Sequence, residues 1–169
     1  MEIKIIQDFI QKGSKCRPGI EHKKKWIVIH ETGNTSPTAG AKNHAIYIKN
    51  LAKENKTYLS WHYTVDDKEI YQHIPDEEIS WNAGDGQKSD GGNISGISIE
   101  ICVNSNSDFN KSIDNAAALV GYLLNKHSLK KESIKQHYDF NKKNCPQKIR
   151  ALNMWDDFVK KCEYYKDKN

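Results

Sequence analysis

Hydrophobic and polar residues repeat with two different periods along the chain, and these periods predict strands interleaved with helices. Residues 25–31 are almost continuously apolar and rich in β-branched side chains, as in a buried central strand that ends at His30. Between residues 94 and 103 alternate side chains are aliphatic, which predicts a strand with one apolar face and with Glu100 on the other. Residues 60–73 predict a β-hairpin that turns at residues 66–68.

Apolar residues at helical spacing mark three further segments. One is residues 39–53 and the second follows a capping residue at Asp108 or Asn110. The third is a final helix marked by Leu152, Trp155, Val159 and Cys162. Residues 1–23 predict a short lead-in helix or arm, and the Gly-, Asp- and Asn-rich residues 80–93 predict a long loop.

Strands alternating with helices predict an α/β fold, a single domain in which a central mixed β-sheet is covered by helices. The length of 169 residues suits one such domain with a substantial core. We expect the domain to span residues 1–165, with residues 1–23 as its arm. Residues 166–169 are expected to form a frayed end or the start of a linker.

Composition and charge exclude several classes of protein. The net charge of +4 comes from scattered lysines, and no aromatic–basic interleaving or nucleic-acid motif accompanies them, so we expect no nucleic-acid partner. No apolar run approaches the length of a membrane span, and the N-terminus lacks the apolar core of a signal peptide. We therefore expect no membrane insertion and no Sec-type export.

The candidate chemistry centres on His137 and Cys145, which flank a polar loop. Imidazole and thiolate are common zinc ligands, and His30, at the end of a predicted strand, is the best candidate for a third. Three protein ligands with an open fourth position are typical of a hydrolytic zinc centre. Of the four cysteines, we interpret Cys145 as a thiolate ligand and the others as free.

Two charged residues accompany these candidate ligands. A carboxylate at Glu100, in a strand whose other face is apolar, is costly unless it is paired, hydrogen-bonded or catalytic. We interpret it as a general base that activates water at the zinc centre. Lys143, close to Cys145 in sequence, is a candidate cation for stabilising an oxyanion.

With these residues the chain resembles the zinc-dependent N-acetylmuramoyl-L-alanine amidases of the type-2 class, which are related to peptidoglycan recognition proteins. It is most similar to the catalytic domains of phage endolysins and of autolysins from Gram-positive bacteria. The resemblance follows the family's order over nearly the whole chain: Gln7-Asp8-Phe9-Ile10, Trp26-Ile27-Val28-Ile29-His30, Trp61-His62-Tyr63-Thr64-Val65, Ile70-Tyr71-Gln72-His73, Trp81-Asn82-Ala83-Gly84-Asp85-Gly86, Ile99-Glu100-Ile101-Cys102, and His137 with Cys145-Pro146.

The resemblance implies one Zn2+ per chain, held by His30, His137 and Cys145, with Glu100 as the catalytic carboxylate and Lys143 as the assisting cation. It also implies that three other residues shape substrate binding: His62, Trp81 and Asp85. The implied substrate is peptidoglycan, cut between N-acetylmuramic acid and the L-alanine of the stem peptide. We expect a monomeric catalytic domain that acts at the cell wall after release by lysis, through a holin or by another non-Sec route.

Two positions depart from the family's usual pattern. Asn82 stands where relatives commonly carry a His, and Glu31 stands where an Asn is common. Neither change removes an implied zinc ligand, but Asn82 bears on substrate contacts. The remaining histidines are expected to be structural or exposed: His22, His44, His73 and His127.

The residues leave three alternatives open. The first is a peptidoglycan-binding module without activity, and the second is a cysteine peptidase that uses Cys145 with His137 or His30 as base. The third is a protein with a purely structural zinc site. The presence of Cys145 disfavours the binding module, and a purely structural zinc site would leave Glu100 unexplained. The sequence does not distinguish a phage lysin from a host autolysin, nor does it identify the target species or a wall-binding domain beyond residue 169.

Overall fold

A computed structural model describes residues 3–168 and contains one six-stranded mixed β-sheet flanked by helices. The strands are β1 (Ile5–Gln7), β2 (Trp26–Glu31), β3 (Tyr63–Val65), β4 (Ile70–Gln72), β5 (Gly96–Ile101) and β6 (Ile134–Gln136). The helices are α1 (Ala41–Glu54), α2 (Gly92–Ser95), α3 (Phe109–Lys126), α4 (Tyr138–Asn141), α5 (Gln147–Ala151) and α6 (Trp155–Lys168), with a 3-10 turn at Lys131–Ser133. The predicted fold class is confirmed.

The strand order β1-β4-β3-β5-β2-β6 brings distant parts of the chain together. Among the six strands within residues 3–168, β3 and β4 are the one antiparallel pair and form the predicted hairpin, whereas β2 pairs in parallel with both β5 and β6. Parallel pairing requires a crossover, and α1 and α3 lie in the two long connections that follow β2 and β5. The predicted buried strand β2 is therefore flanked by a neighbour on each side.

The two faces of the sheet have different compositions. One face carries the aliphatic residues of β2 and β5, and it packs against α3 and α6 to form the main core. Burial of this face supplies most of the apolar stabilisation, at roughly 25 cal/mol per Å² removed from water. Helices α3 and α6 approach closely at Gly121, where an added Cβ would lie 2.6 Å from the backbone N of Lys166.

The opposite face carries the polar residues of the same strands. His30 on β2 is in register with Glu100 on β5, and Glu100 is in register with Thr64 on β3. Helix α1 covers part of this face through buried residues at helical spacing: Ala41, Ala45, Ile48 and Ala52. The alternation predicted for residues 94–103 thus separates the core face of the sheet from the face that carries His30 and Glu100.

Near the two ends of the described chain, the structure contains regular elements. Residues 5–7 form the edge strand β1, which pairs in parallel with β4, and Ile10 beyond it is buried. Helix α6 continues to Lys168, and Asn125 Nδ2 donates to Lys166 O. The predicted domain boundary at residue 165 stays a prediction. Asn169 lies outside the described residues.

Three short helices were not predicted: α2, α4 and α5. Leu152, which the sequence assigned to the final helix, is exposed and follows α5 instead. None of the helices within residues 3–168 combines the length and the hydrophobicity that a membrane span requires.

Candidate metal centre

The three predicted zinc ligands converge at the end of β2. His30 is the penultimate residue of β2, and His137 directly follows β6, where its backbone N–H donates to Ile29 O at 3.1 Å. Cys145 follows α4 in the chain and lies beside the two histidines, and its carbonyl accepts a hydrogen bond from Tyr138 N at 3.0 Å. One ligand atom from each of His30, His137 and Cys145 lies within 4.8 Å of the others, and all three residues are buried.

The donor set fits a tetrahedral zinc ion. The Nδ1 atoms of His30 and His137 lie 3.0 Å apart, close to the separation of about 3.3 Å expected for two nitrogens on one zinc ion. Burial, with His137 beside it, lowers the pKa of His30 well below its usual value, and burial and Lys143 lower the pKa of His137 to about 4. Both imidazoles are therefore neutral and able to bind a metal.

Cys145, unlike the two neutral imidazoles, must carry a negative charge to bind a metal. Burial and the charge of Glu100 raise the pKa of the Cys145 thiol to about 12, against a hydrogen bond from the Glu31 backbone. A thiol in this environment stays protonated at neutral pH unless a cation binds it. A metal ligand is thus a better chemical description of Cys145 than a free nucleophilic thiolate.

Glu100 lies beside the ligand set without joining it. Its Oε1 is 3.9 Å from His30 Nδ1, and only 14% of its side-chain surface is exposed. Its Oε2 is buried and has no hydrogen-bond partner within the described residues. Burial raises the pKa of Glu100 to about 7, which suits a group that must accept and return a proton near neutral pH.

Asn82 contacts Glu100 directly, a role that the sequence did not predict. Its Nδ2 lies 3.5 Å from Glu100 Oε1, while its Oδ1 accepts from Ser98 Oγ at 2.8 Å. The hydrogen bond from Ser98 fixes the side-chain amide so that its NH2 group faces the carboxylate. Asn82, which departs from the usual family residue, is therefore a direct neighbour of the Glu100 carboxylate.

A cleft of about 530 Å³ opens beside Glu100 and extends toward α1. Lys143 lines the same cleft on an exposed loop, and its charge contributes to lowering the pKa of His137. Further along, the walls combine polar and aromatic side chains: Asn43, His44, Tyr47 and Trp61. His44 was expected to be structural or exposed, and the structure places it in the cleft wall.

The three predicted substrate-binding residues have different surroundings. His62 is fully buried; its Nε2 is 2.8 Å from Glu78 O and its Nδ1 accepts from Ser98 N at 3.0 Å. Both ring nitrogens are used within the fold, and the substrate-binding role of His62 stays a prediction. Asp85 accepts from the backbone N–H groups of Gly92 and Asn93 at the start of α2.

Trp81 is half-buried and packs edge-to-face against Tyr58, with ring centroids 6.0 Å apart. Its indole Nε1 is buried, and it has no partner within residues 3–168. Asp85 caps the start of α2. The substrate-binding roles predicted for Trp81 and Asp85 stay predictions.

A second group of potential ligands, Asp76, Glu77 and His127, does not form a comparable metal site. Asp76 Oδ2 already accepts from Lys126 and contacts His127 Nε2, at 2.8 and 2.9 Å. Its Oδ1 accepts from Tyr63 at 2.6 Å. A carboxylate with both oxygens occupied by protein donors, one of them cationic, is a structural ion-pair centre.

Comparison with known proteins shows one consistent family. Residues 21–148 match the family model described as N-acetylmuramoyl-L-alanine amidase. Among curated proteins, the chain is 44% identical to N-acetylmuramoyl-L-alanine amidase XlyA of Bacillus subtilis, over 92% of this chain and 50% of XlyA. It is 39% identical to N-acetylmuramoyl-L-alanine amidase CwlH of the same species, over 93% of this chain and 60% of CwlH. The chain therefore spans about half of the length of these relatives.

Solved structures agree with the sequence relatives. The catalytic domain of XlyA superposes with a TM-score of 0.86 at 42% identity, covering 95% of this chain and 99% of that domain. The PlyG catalytic domain superposes with a TM-score of 0.81 at 32% identity, covering 96% of this chain and 95% of that domain. Both similarities cover at least 95% of this chain.

Proposed function

Because the chain belongs to the N-acetylmuramoyl-L-alanine amidase family, we propose that it hydrolyses the amide bond between N-acetylmuramic acid and the L-alanine of the peptidoglycan stem peptide. The observation that carries this proposal is the position of Glu100. It is held at the edge of a cleft, beside three converging metal ligands, with one carboxylate oxygen buried and unpaired within the described residues.

We propose one zinc ion per chain, held by His30, His137 and Cys145. When bound, zinc supplies Lewis acidity that polarises the scissile carbonyl and acidifies water. Glu100 accepts a proton from the attacking water and returns it to the amine of the departing L-alanine. We propose that Lys143, which lines the same cleft as Glu100, stabilises by its charge the oxyanion that develops on the carbonyl oxygen. We further propose that the half-buried Trp81 contributes to substrate binding.

The wider assignment follows from the same relatives. We propose that peptidoglycan is the partner, that the domain acts as a monomer at the bacterial cell wall, and that it contributes to wall lysis as an endolysin or an autolysin. Residues 1–165 would then form the catalytic unit. The cysteine-peptidase alternative is disfavoured because burial and Glu100 raise the pKa of Cys145 to about 12.

The test uses purified Gram-positive peptidoglycan digested with zinc-loaded and zinc-stripped protein. The expected result is zinc-dependent appearance of N-terminal L-alanine with no new reducing sugar ends. New reducing ends would indicate a glycosidase, and hydrolysis that survives zinc removal but is stopped by thiol alkylation would indicate a cysteine peptidase. Binding to the wall with no release of amino groups would reassign the chain as a recognition module.

A further inference from the structure

Glu31 connects the strand of one proposed ligand to the segment that follows another. It comes directly after His30 in β2. Its carboxylate accepts two backbone hydrogen bonds from α5, from Lys148 N to Oε2 at 2.7 Å and from Ile149 N to Oε1 at 2.9 Å. These donors lie 117 and 118 residues away in sequence, just after Cys145 and Pro146.

The two amides are ones that α5 cannot satisfy internally. The first turn of any helix leaves N–H groups without carbonyl partners, and a side-chain oxygen just before the helix normally accepts from the second or third of them. In α5 that preceding residue is Pro146, which has no side-chain acceptor. Glu31 therefore supplies from the sheet the cap that the local sequence lacks.

The three ligands differ in how firmly the fold holds them. His30 lies within β2, and His137 is tied to β2 by its N–H donating to Ile29 O at 3.1 Å. Cys145 follows a loop of exposed residues that includes Lys142 in a left-handed conformation at φ 66°. Of the three ligands, Cys145 is the one whose distance from the imidazoles depends on contacts outside the sheet.

Glu31 provides such a contact on the C-terminal side of Cys145. Glu31 accepts a hydrogen bond from the N–H of Ile149, and Ile149 is fully buried in the main core. The segment that begins at Cys145 is thereby attached at its C-terminal end, to β2 through Glu31 and to the core through Ile149. These contacts restrain the position of Cys145 relative to His30 on that side.

We propose that Glu31 is a positioning residue for the metal centre, whose carboxylate holds α5 against β2 and thereby sets the distance of the Cys145 sulfur from the two imidazoles. The inference rests on the zinc centre of the proposed function. It assigns a purpose to a residue that departs from the usual family pattern. It also predicts that zinc affinity depends on a side chain that does not bind zinc.

The informative variants are Glu31→Gln and Glu31→Ala. Gln keeps the size of the side chain but replaces one acceptor oxygen by an NH2 group, which would face a backbone N–H. The matched control is Asp108→Ala, because Asp108 caps α3 by accepting from Lys111 N at 3.2 Å and α3 carries no proposed ligand. Both alanine variants remove a side-chain helix cap, and only one of them is next to the metal centre.

Zinc affinity of the full chain is measured by competition with a chromophoric chelator, and cobalt-substituted protein reports the thiolate-to-cobalt charge-transfer band. Removing partners that orient metal ligands typically costs 10- to 100-fold in affinity. We expect both Glu31 variants to bind zinc at least about tenfold more weakly and to show a weaker or shifted cobalt–sulfur band. Asp108→Ala should lower thermal stability with zinc affinity and the band unchanged.

Wild-type zinc affinity and an unaltered band in correctly folded Glu31→Gln would overturn this inference while leaving the zinc centre intact. A wild-type chain that binds no zinc would overturn the metal centre and this inference with it. Circular dichroism of each variant establishes folding. Glu31→Asp, which keeps both acceptor oxygens on a shorter side chain, should lie between wild type and Glu31→Gln in affinity.

Discussion

His30 and Glu100 are register partners on the adjacent parallel strands β2 and β5, with Glu100 Oε1 3.9 Å from His30 Nδ1. This proximity is set by the backbone pairing of six consecutive residues on each strand. A slip of one residue would turn Glu100 toward the opposite face of the sheet. The relation between the proposed base and the proposed ligand is therefore as rigid as the sheet itself.

Replacement of Glu100 by Gln should separate catalysis from metal binding. Because the amide cannot accept a proton at neutral pH, we expect amidase turnover to fall by about 10²- to 10⁴-fold with zinc content unchanged. Turnover is measured as release of N-terminal L-alanine and zinc by metal analysis. The exposed Glu132→Gln is the control and should behave as wild type. Near-native turnover in Glu100→Gln would remove Glu100 from the mechanism.

Two adjacent lysines provide a matched pair. Lys143 lines the cleft with Glu100, whereas the Lys142 ammonium lies over the Tyr138 ring, 5.0 Å from its centroid. Loss of one oxyanion-stabilising group costs about 10²- to 10³-fold in kcat, so Lys143→Met should lose that much with little change in KM. Lys142→Met should retain most activity. Equal losses in steady-state kinetics of the two variants would argue against a specific role for Lys143.

Asp76 predicts how stability depends on pH. Burial alone would raise its pKa, but hydrogen bonds from His127, Lys126 and Tyr63 hold the pKa of Asp76 well below its usual range. A carboxylate with a depressed folded-state pKa stabilises the protein fully above its unfolded-state pKa of about 3.9, and this contribution is lost as the pH falls toward the folded value.

We therefore expect Asp76→Asn to cost about 3–5 kcal/mol in the free energy of unfolding at pH 7, since it leaves Lys126 and His127 without their buried partner. The difference from wild type should shrink by about 1 kcal/mol between pH 6 and pH 3. Urea unfolding of zinc-free wild type and variant across this range makes the comparison. A difference that is constant with pH would show that the carboxylate charge is not the cause.

Gly121 predicts a case in which helix propensity is overruled by packing. Alanine is about 1 kcal/mol better than glycine inside a helix, yet its Cβ at this position would lie 2.6 Å from Lys166 N and 2.8 Å from the Tyr165 carbonyl carbon. Forcing α3 and α6 apart should lower stability by about 1–3 kcal/mol. Thermal unfolding should show a lower Tm for Gly121→Ala and no decrease for the exposed Asn110→Ala. An increase in Tm would mean that the two helices separate without cost.

Features with a clear period were predictable from the sequence. Strands β2 and β5, the β3–β4 hairpin and helices α1, α3 and α6 all follow from apolar spacing, and Asp108 caps α3 as expected. His30, His137 and Cys145 converge as predicted, because two strand ends and one loop meet at the same edge of the sheet. The roles assigned to them and to Glu100 stay proposals until the experiments above are done.

Features that depend on distant contacts were not predictable. The N-terminal amides of α5 are capped by Glu31 of β2, and the residue before α5, Pro146, supplies no capping side chain that would predict where the helix begins. Residues 5–7 form β1 by pairing with β4, a partner more than sixty residues away in sequence. His62 is fully buried whereas His44 lines the cleft, a difference set by the elements that cover each ring.

The order of the strands also determines when the proposed metal centre can exist during synthesis. A nascent chain that ends before β6 contains His30 but neither His137 nor Cys145, so it offers a metal one of the three ligands. The site is completed only after β6 has paired with β2 and α5 has docked on Glu31. A chain that ends before residue 134 therefore lacks two of the three proposed ligands, and we expect it to bind no zinc at this site.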